Sequence, residues 1–106
     1  MRHPVSVARD FSKTPGPRYI RQGKWSGEKF RELLVQRIKK FGAVVVDLDG
    51  TRGYGSSFLD EAFGGLIREG YMTKNEFPLK VAIVSDEDPS YKIEALEAVQ
   101  KAQLRH

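Results

Sequence analysis

Residues 43–70 combine three features that belong together: a buried-type strand, a glycine-rich loop and an amphipathic helix. The stretch opens with the apolar run 43–46, and a short run of β-branched residues bounded by turn residues predicts a buried strand. Three glycines and two serines follow within eight residues. Beyond them, six apolar residues recur at helical spacing and form one stripe: Phe58, Leu59, Ala62, Phe63, Leu66 and Ile67. We expect any specific function to lie at the loop between this strand and this helix.

The first 42 residues predict two strands and a helix. Residues 5–11 begin with apolar alternation and predict a strand, and the turn residues 14–17 end it. Residues 18–21 predict a short second strand paired antiparallel with the first, or else a loop, because the run is short. Ser26 is a suitable N-cap for the helix that follows, and Gly42 lies just beyond its predicted end.

The last third of the chain predicts one more strand and one more helix. Residues 79–84 are typical of a buried strand, and Asp88 followed by Pro89 is typical of a helix start. The buried side of that helix is expected to carry Ile93, Leu96, Val99 and Leu104. The complete order is ββαβαβα, which predicts a single α/β domain over residues 1–106 with flexible ends at about 1–4 and 104–106. Its sheet is expected to be mixed and four-stranded, with about three helices.

Composition narrows the classes of protein to which the chain can belong. It has 106 residues and no cysteine, so disulfide and thiolate chemistry are excluded. It also has no apolar run near the ~20 residues of a membrane span and no apolar signal segment at the N-terminus, so we expect a cytoplasmic location without membrane contact. The net charge is +4, but the basic residues are dispersed among acidic ones, so nucleic-acid binding is not expected.

Catalytic groups are scarce. The two histidines, His3 and His106, lie at the chain ends, and the serines of the loop have no histidine from the body of the fold to act as a base. We therefore expect neither enzymatic activity nor a cofactor or metal ion.

The glycine-rich loop also permits a second interpretation, phosphate or nucleotide binding. Residues 50–57 nearly match a P-loop, but Ser56 stands where the P-loop lysine belongs. A purely structural interpretation is that Ser57 caps the helix, with Asp60 in the place of a capping-box acid. A cap needs one serine, however, and leaves the other unexplained.

At this loop the sequence resembles the STAS-like domains of unknown function, which are relatives of the anti-sigma-factor antagonists. The resemblance covers residues 18 to 66. Its features are Gly23 with the block SGEKFR at 26–31, then VDLD at 46–49, and then GYGSSFLDEAFGGL at 53–66. Laid on the D-S-S-G-L pattern of the antagonists, Ser56 and Ser57 match the two serines, whereas Gly55 replaces the aspartate and Phe58 the glycine.

The resemblance implies a protein-binding switch without catalysis of its own. Ser57 falls on the serine that a partner kinase of the GHKL ATPase type phosphorylates in the antagonists, so Ser57 and then Ser56 are the phosphorylation candidates. The implied partner is such a histidine-kinase-like ATPase or an anti-sigma-type regulator. The predicted partner-binding residues are Arg52, Gly53, Tyr54, Gly55, Ser56, Ser57, Asp60 and Glu61.

Several expectations about this surface follow from the residue types. Tyr54 would be an exposed aromatic beside the serines, whereas Phe58 would belong to the core. A phosphate on Ser57 would be favoured by the helix N-terminus and opposed by the nearby charges of Asp60 and Glu61. Arg52 would either contact an acidic partner or be solvated. A phosphate- or nucleotide-binding domain and a structural subunit of a larger assembly stay open as alternatives.

Overall fold

The computed structural model describes residues 2–105, which contain three strands and five helices. In chain order these are β1 (His3–Ser6), α1 (Val7–Asp10), α2 (Gly27–Phe41), β2 (Val44–Asp47), α3 (56–68), α4 (Phe77–Lys80), β3 (Val81–Val84) and α5 (Pro89–Lys101). A 3₁₀ turn, Ile20–Gln22, lies between α1 and α2. None of the helices in residues 2–105 is long and apolar enough to cross a membrane.

The sheet has three strands and is entirely parallel. Its order is β1-β2-β3, with Val5 beside Val46 and Val46 beside Ile83. The prediction of a four-stranded mixed sheet is therefore wrong, and so is the prediction of about three helices, because the short helices α1 and α4 were not expected. A helical segment follows β1 and β2 before the next strand begins, and such a crossover is the connection that parallel neighbours require.

The predicted strand at residues 18–21 does not form, and no antiparallel hairpin opens the fold. Residues 12–25, which we call the strap, have no strand. The carbonyl oxygens of Pro17 and Arg18 instead accept hydrogen bonds from the backbone N–H groups of Gly27 and Glu28, at 2.9 and 3.0 Å. Those donors belong to the first turn of α2 and have no partner within the helix. The strap therefore caps a helix with peptide groups that a strand would have used for pairing.

Two other predicted strands are shorter than expected. β1 ends at Ser6, whose side chain accepts a hydrogen bond from the Arg9 N–H at 3.1 Å and so starts α1 within the predicted strand. His3 and Pro4, assigned to a flexible end, belong to β1. β3 begins only at Val81, because α4 includes Leu79 and leaves its side chain 74% exposed.

The core lies between one face of the sheet and helices α2 and α3. Alternate strand residues are buried, and they form one cluster with the largest buried side chains of the two helices: Phe30, Leu34, Phe58, Leu59, Phe63 and Leu66. All six residues of the apolar stripe predicted for the central helix are buried. This confirms the helix and its orientation, and it confirms Phe58 as a core residue.

Three predicted helix ends are also confirmed. The Ser26 hydroxyl accepts a hydrogen bond from the Lys29 N–H at 3.0 Å, and Gly42 ends α2 with a φ of 86°. Asp88 accepts from the Ser90 N–H at 3.0 Å, one residue after Pro89 opens α5. These are local interactions, so a sequence pattern reveals them directly.

The buried side of α5 is only partly the predicted one, because Val99 is buried as expected but Ile93 and Leu96 are not. Helix α5 turns its small residues Ala95 and Ala98 inwards together with Val99, whereas Ile93 and Leu96 are 56% and 39% exposed. Leu104, beyond the helix, is exposed as well. The reason is the close approach of α5 to α3: a Cβ atom on Gly64 would lie only 3.1 Å from the Ala98 carbonyl oxygen. Small residues permit this spacing, and larger ones do not.

Candidate functional site

The loop predicted to carry function, residues 50–57, is called the serine loop and lies beyond the carboxyl end of β2. Its start is joined to the turn after β3. The Asp49 carboxylate accepts hydrogen bonds from the N–H groups of Asp86 and Glu87, at 3.3 and 3.0 Å. In return, the Gly50 N–H donates to the Glu87 carboxylate at 2.6 Å. These reciprocal bonds hold the loop against the neighbouring strand end.

Three N–H groups of the serine loop are already bound within the domain. The Gly50 N–H is bound by a carboxylate, the Arg52 N–H donates to the Lys13 carbonyl oxygen at 2.8 Å, and the Gly53 N–H donates to the Thr51 hydroxyl at 3.2 Å. A P-loop needs such groups free to surround an anion. Nor do residues 2–105 contain a group of three or more histidine, aspartate or glutamate side chains arranged to hold a metal ion.

Tyr54 fixes the serine loop to the interior of the domain. Its side chain is buried, and its hydroxyl donates a hydrogen bond to the Leu48 carbonyl oxygen at 2.8 Å. The ring packs against Phe58 and Tyr91, and Gly53 leaves room for Tyr91, whose hydroxyl would lie 2.8 Å from a Cβ at that position. Burial raises the pKa of Tyr54, so its hydroxyl stays protonated and donates. The prediction of an exposed aromatic here is wrong.

We expect Tyr54→Phe to lower the free energy of unfolding by about 1–2 kcal/mol, because the Leu48 carbonyl oxygen would lose its buried donor. Urea unfolding followed by circular dichroism would measure this. Tyr71→Phe is the matched control, since Tyr71 is 48% exposed and its loss of a hydroxyl should change stability by less than about 0.5 kcal/mol. Equal effects of the two substitutions would contradict the anchoring role.

The two serines begin α3 without capping it. The helix starts at Ser56, and its N-cap residue is Gly55, which has no side chain to accept a hydrogen bond. Ser56 and Ser57 are exposed, and neither hydroxyl is hydrogen bonded to any residue in the described part of the chain. The prediction that Ser57 caps the helix is therefore wrong. No structural role accounts for either hydroxyl.

One turn further along α3, Asp60 and Glu61 belong to a group of five charged side chains that we call the ion cluster: Arg18, Arg31, Asp60, Glu61 and Arg68. The Glu61 carboxylate, almost fully buried, contacts Arg31 at 2.5 Å, Arg18 at 3.2 Å and Arg68 at 3.3 Å. Asp60 pairs with Arg18 and, at 3.1 Å, with Arg68. The cluster thus joins the strap, α2 and α3.

The charges of the cluster nearly balance. Burial raises the pKa of Asp60, whereas hydrogen bonds from Arg18 and Arg68 lower it. The arginines together outweigh burial, so the pKa of Asp60 is below its usual value. Three guanidinium groups face two carboxylates, which leaves one excess positive charge. The repulsion expected between these carboxylates and a phosphate on Ser57 is therefore offset by arginines.

The backbone of α3 is shaped around this cluster. The helix is α-helical over Ser56–Leu59, widens to a π turn over Asp60–Gly64 and is α-helical again over Gly65–Arg68. Gly65 is needed there, because a Cβ atom on it would overlap the guanidinium group of Arg31. Single π turns inside α-helices are frequent at functional sites.

The three arginines of the cluster were not predicted from the sequence. Arg18 and Arg31 are 42 and 30 residues from their partners on α3, and no periodicity links such positions. The one indication of these partners in the sequence was Glu61, a charged residue that stands among the buried apolar residues of α3. A buried carboxylate requires a cationic partner, but the sequence does not reveal which one.

Together, these features define a small α/β domain with three parallel strands, which presents two exposed serines at the start of its central helix. A family model described as a STAS-like domain of unknown function (DUF4325) matches residues 26–89, and the chain belongs to that family. The matched segment runs from the cap of α2 to the first residue of α5 and includes the serine loop and α3. No curated protein and no solved structure matched the chain. A STAS-like domain points to a regulatory or protein-interaction module.

Proposed function

We propose that this domain is a regulatory protein–protein interaction module that docks its partner through the serine loop and is switched by phosphorylation of Ser57. The observation that carries the proposal is the exposure of Ser56 and Ser57 at a helix start, where neither hydroxyl has a structural role. Side chains without a structural role on a fixed loop are suited to recognition.

The surface offered to a partner is narrower than the predicted set of residues. Arg52, Gly55, Ser56 and Ser57 are exposed and would make the contacts, whereas Tyr54 is buried. Asp60 and Glu61 are bound to arginines and would support the surface from within, and Gly53 would shape the turn. Because the loop is already fixed on two sides, docking would cost little conformational entropy.

The chemical step belongs to the partner. The γ-phosphoryl group of Mg-ATP would pass to the Ser57 hydroxyl oxygen, with ADP as the leaving group and the hydroxyl proton taken by a base of the kinase. The resemblance to anti-sigma-factor antagonists supplies the partner class, a GHKL-type ATPase or an anti-sigma-type regulator. A phosphate would add about −1.5 to −2 charges to the docking surface. We therefore expect a change of affinity rather than a change of fold.

A pull-down from native host lysate with Mg-ATP would test this proposal, followed by intact mass measurement of the recovered domain. Wild type should recover an ATPase and gain the mass of one phosphate, and Ser57→Ala should recover the ATPase without the added mass. Ser56→Ala is the matched control and should still be phosphorylated. A phosphate on Ser56→Ala and Ser57→Ala alike would disprove the assignment to Ser57, and recovery of no partner would disprove the docking role.

Direct nucleotide binding gives a contrasting expectation. Because three N–H groups of the serine loop are already bound within the domain, we expect Mg-ATP, Mg-GTP and inorganic phosphate to leave the melting temperature unchanged. A thermal-shift titration would measure this, since a ligand at about 100 times its Kd would stabilise the fold by about 2.7 kcal/mol. A saturable rise in melting temperature would instead favour a nucleotide-binding domain.

A further inference from the structure

The ion cluster lies on the same side of α3 as Ser57. The Asp60 N–H is hydrogen bonded to the carbonyl oxygens of Ser56 and Ser57, so the serines occupy the turn directly before Asp60. Ser57 is three residues before Asp60 and four before Glu61, the two spacings at which helical side chains are neighbours. By this spacing, Ser57 and the two carboxylates occupy neighbouring positions on the surface of α3, one turn apart.

Arg18 binds both of these carboxylates through one nitrogen, and its other N–H groups are available to bind a further acceptor. A single nitrogen, Nη1, contacts Asp60 and Glu61, whereas Nε and Nη2 have no hydrogen-bond partner within residues 2–105. The Arg18 side chain is 29% exposed, compared with 10% for Arg31 and 17% for Arg68. Among the three arginines of the cluster, Arg18 is therefore the one that can turn towards a new anion.

We propose that Arg18 is the residue that receives the phosphate of phosphorylated Ser57. This inference rests on the proposed function, because it assigns the contact through which the same serine acts. A guanidinium group binds a phosphate through two parallel N–H···O bonds, which is the strongest arrangement available to an arginine. The carboxylates that Arg18 would partly release keep other partners, since Glu61 retains Arg31 and Arg68, and Asp60 retains Arg68.

The contact would reverse the charge at this end of α3. The cluster has one excess positive charge before phosphorylation, and a doubly charged phosphate leaves one excess negative charge. A partner with an acidic contact surface would then lose affinity. Ser56 is a poorer position for this contact. Of the two carboxylates, only that of Asp60 lies three or four residues after Ser56.

Phosphoserine placed at position 57 by genetic code expansion would test the inference without any kinase. A ³¹P NMR titration gives the second pKa of the phosphate, which is near 6 for a free phosphoserine. We expect this pKa to be about one unit lower in the domain with Arg18 than in the Arg18→Gln variant, a tenfold difference in proton affinity. Arg105→Gln is the matched control and should leave the pKa near that of wild type, because the Arg105 side chain is 61% exposed and pairs with Glu69, outside the cluster and the serine loop.

The remaining variants separate the possible failures. Circular dichroism should first show that the Arg18→Gln domain is folded. Arg18→Lys, which keeps the positive charge, should then recover part of the pKa shift. Phosphoserine at position 56 should respond less to Arg18→Gln than phosphoserine at position 57. Equal pKa values in the wild-type domain and in a folded Arg18→Gln variant would overturn the inference and leave the docking proposal standing. A lysate pull-down without a partner would instead remove the docking proposal and leave the measured contact standing.

Discussion

Glu61→Gln is expected to lower the free energy of unfolding by about 3–5 kcal/mol, the largest loss among the substitutions considered. The Glu61 side chain is 5% exposed, and its carboxylate neutralises Arg31, which is itself buried. Glutamine keeps the shape but not the charge, so it leaves the Arg31 guanidinium group buried without an anion. Arg18 and Arg68 would lose part of their compensation at the same time.

Chemical denaturation with urea, monitored by circular dichroism and tryptophan fluorescence, would measure the effect of Glu61→Gln. Glu32→Gln is the matched control, because Glu32 also pairs with a cation, Lys29 at 3.3 Å, but both of these side chains are about half exposed. An exposed ion pair contributes about 0–1 kcal/mol. If the two substitutions cost the same, the ion cluster does not stabilise the fold in the way that its geometry indicates.

Gly27→Ala is expected to destabilise the domain by about 2–3 kcal/mol, although alanine is the better helix former by about 1 kcal/mol. Gly27 is the first residue of α2, and a Cβ atom there would overlap the carbonyl oxygen of Phe58. The obstacle is backbone rather than a flexible side chain, so α2 and α3 would have to move apart. That movement would disturb the packing of Phe30 on Phe58, whose ring centroids are 6.0 Å apart.

Gly16→Ala provides the control for Gly27→Ala. A Cβ atom on Gly16 would meet its nearest atom, the Trp25 carbonyl oxygen, at an ordinary contact distance of 3.4 Å. Alanine restricts the unfolded chain more than glycine does. Gly16→Ala should therefore leave the free energy of unfolding unchanged or raise it by about 0.4–1 kcal/mol. Thermal unfolding of both variants should show a loss of stability for Gly27→Ala and no loss for Gly16→Ala. A stabilising Gly27→Ala would show that the two helices are less closely packed than the structure indicates.

The fold was predictable where its causes are local. The cap at Ser26, the helix end at Gly42 and the start of α5 at Asp88 each rest on hydrogen bonds or backbone angles within a few residues. The apolar stripe of α3 follows in the same way from helical periodicity, and all of it is buried. The resemblance to STAS-like domains rested on residues that are also neighbours in the chain, and the family match confirms it.

Two of the errors concern elements whose partners are distant in the chain. Residues 18–21 have the composition of a short strand, but the neighbouring carbonyl oxygens of the strap bind the start of α2 instead. On α5, periodicity favoured a face with Ile93 and Leu96, whereas close contact with Gly64 selects the alanine face. Both outcomes depend on which surface lies opposite, and a sequence pattern contains no information about that surface.

In the candidate site too, local features were predictable from the sequence, whereas tertiary contacts were not. The order of residues 43–70 was sufficient to place a strand, a glycine-rich loop, two serines and a buried helix one after another, because each is a local preference of the chain. Folding decided that Tyr54 is buried as an anchor while Ser56 and Ser57 are exposed, and it brought Arg18 and Arg31 to the carboxylates of α3. The contacts of Arg18 and Arg31 span 42 and 30 residues of the chain, and such contacts exist only after the helices have packed.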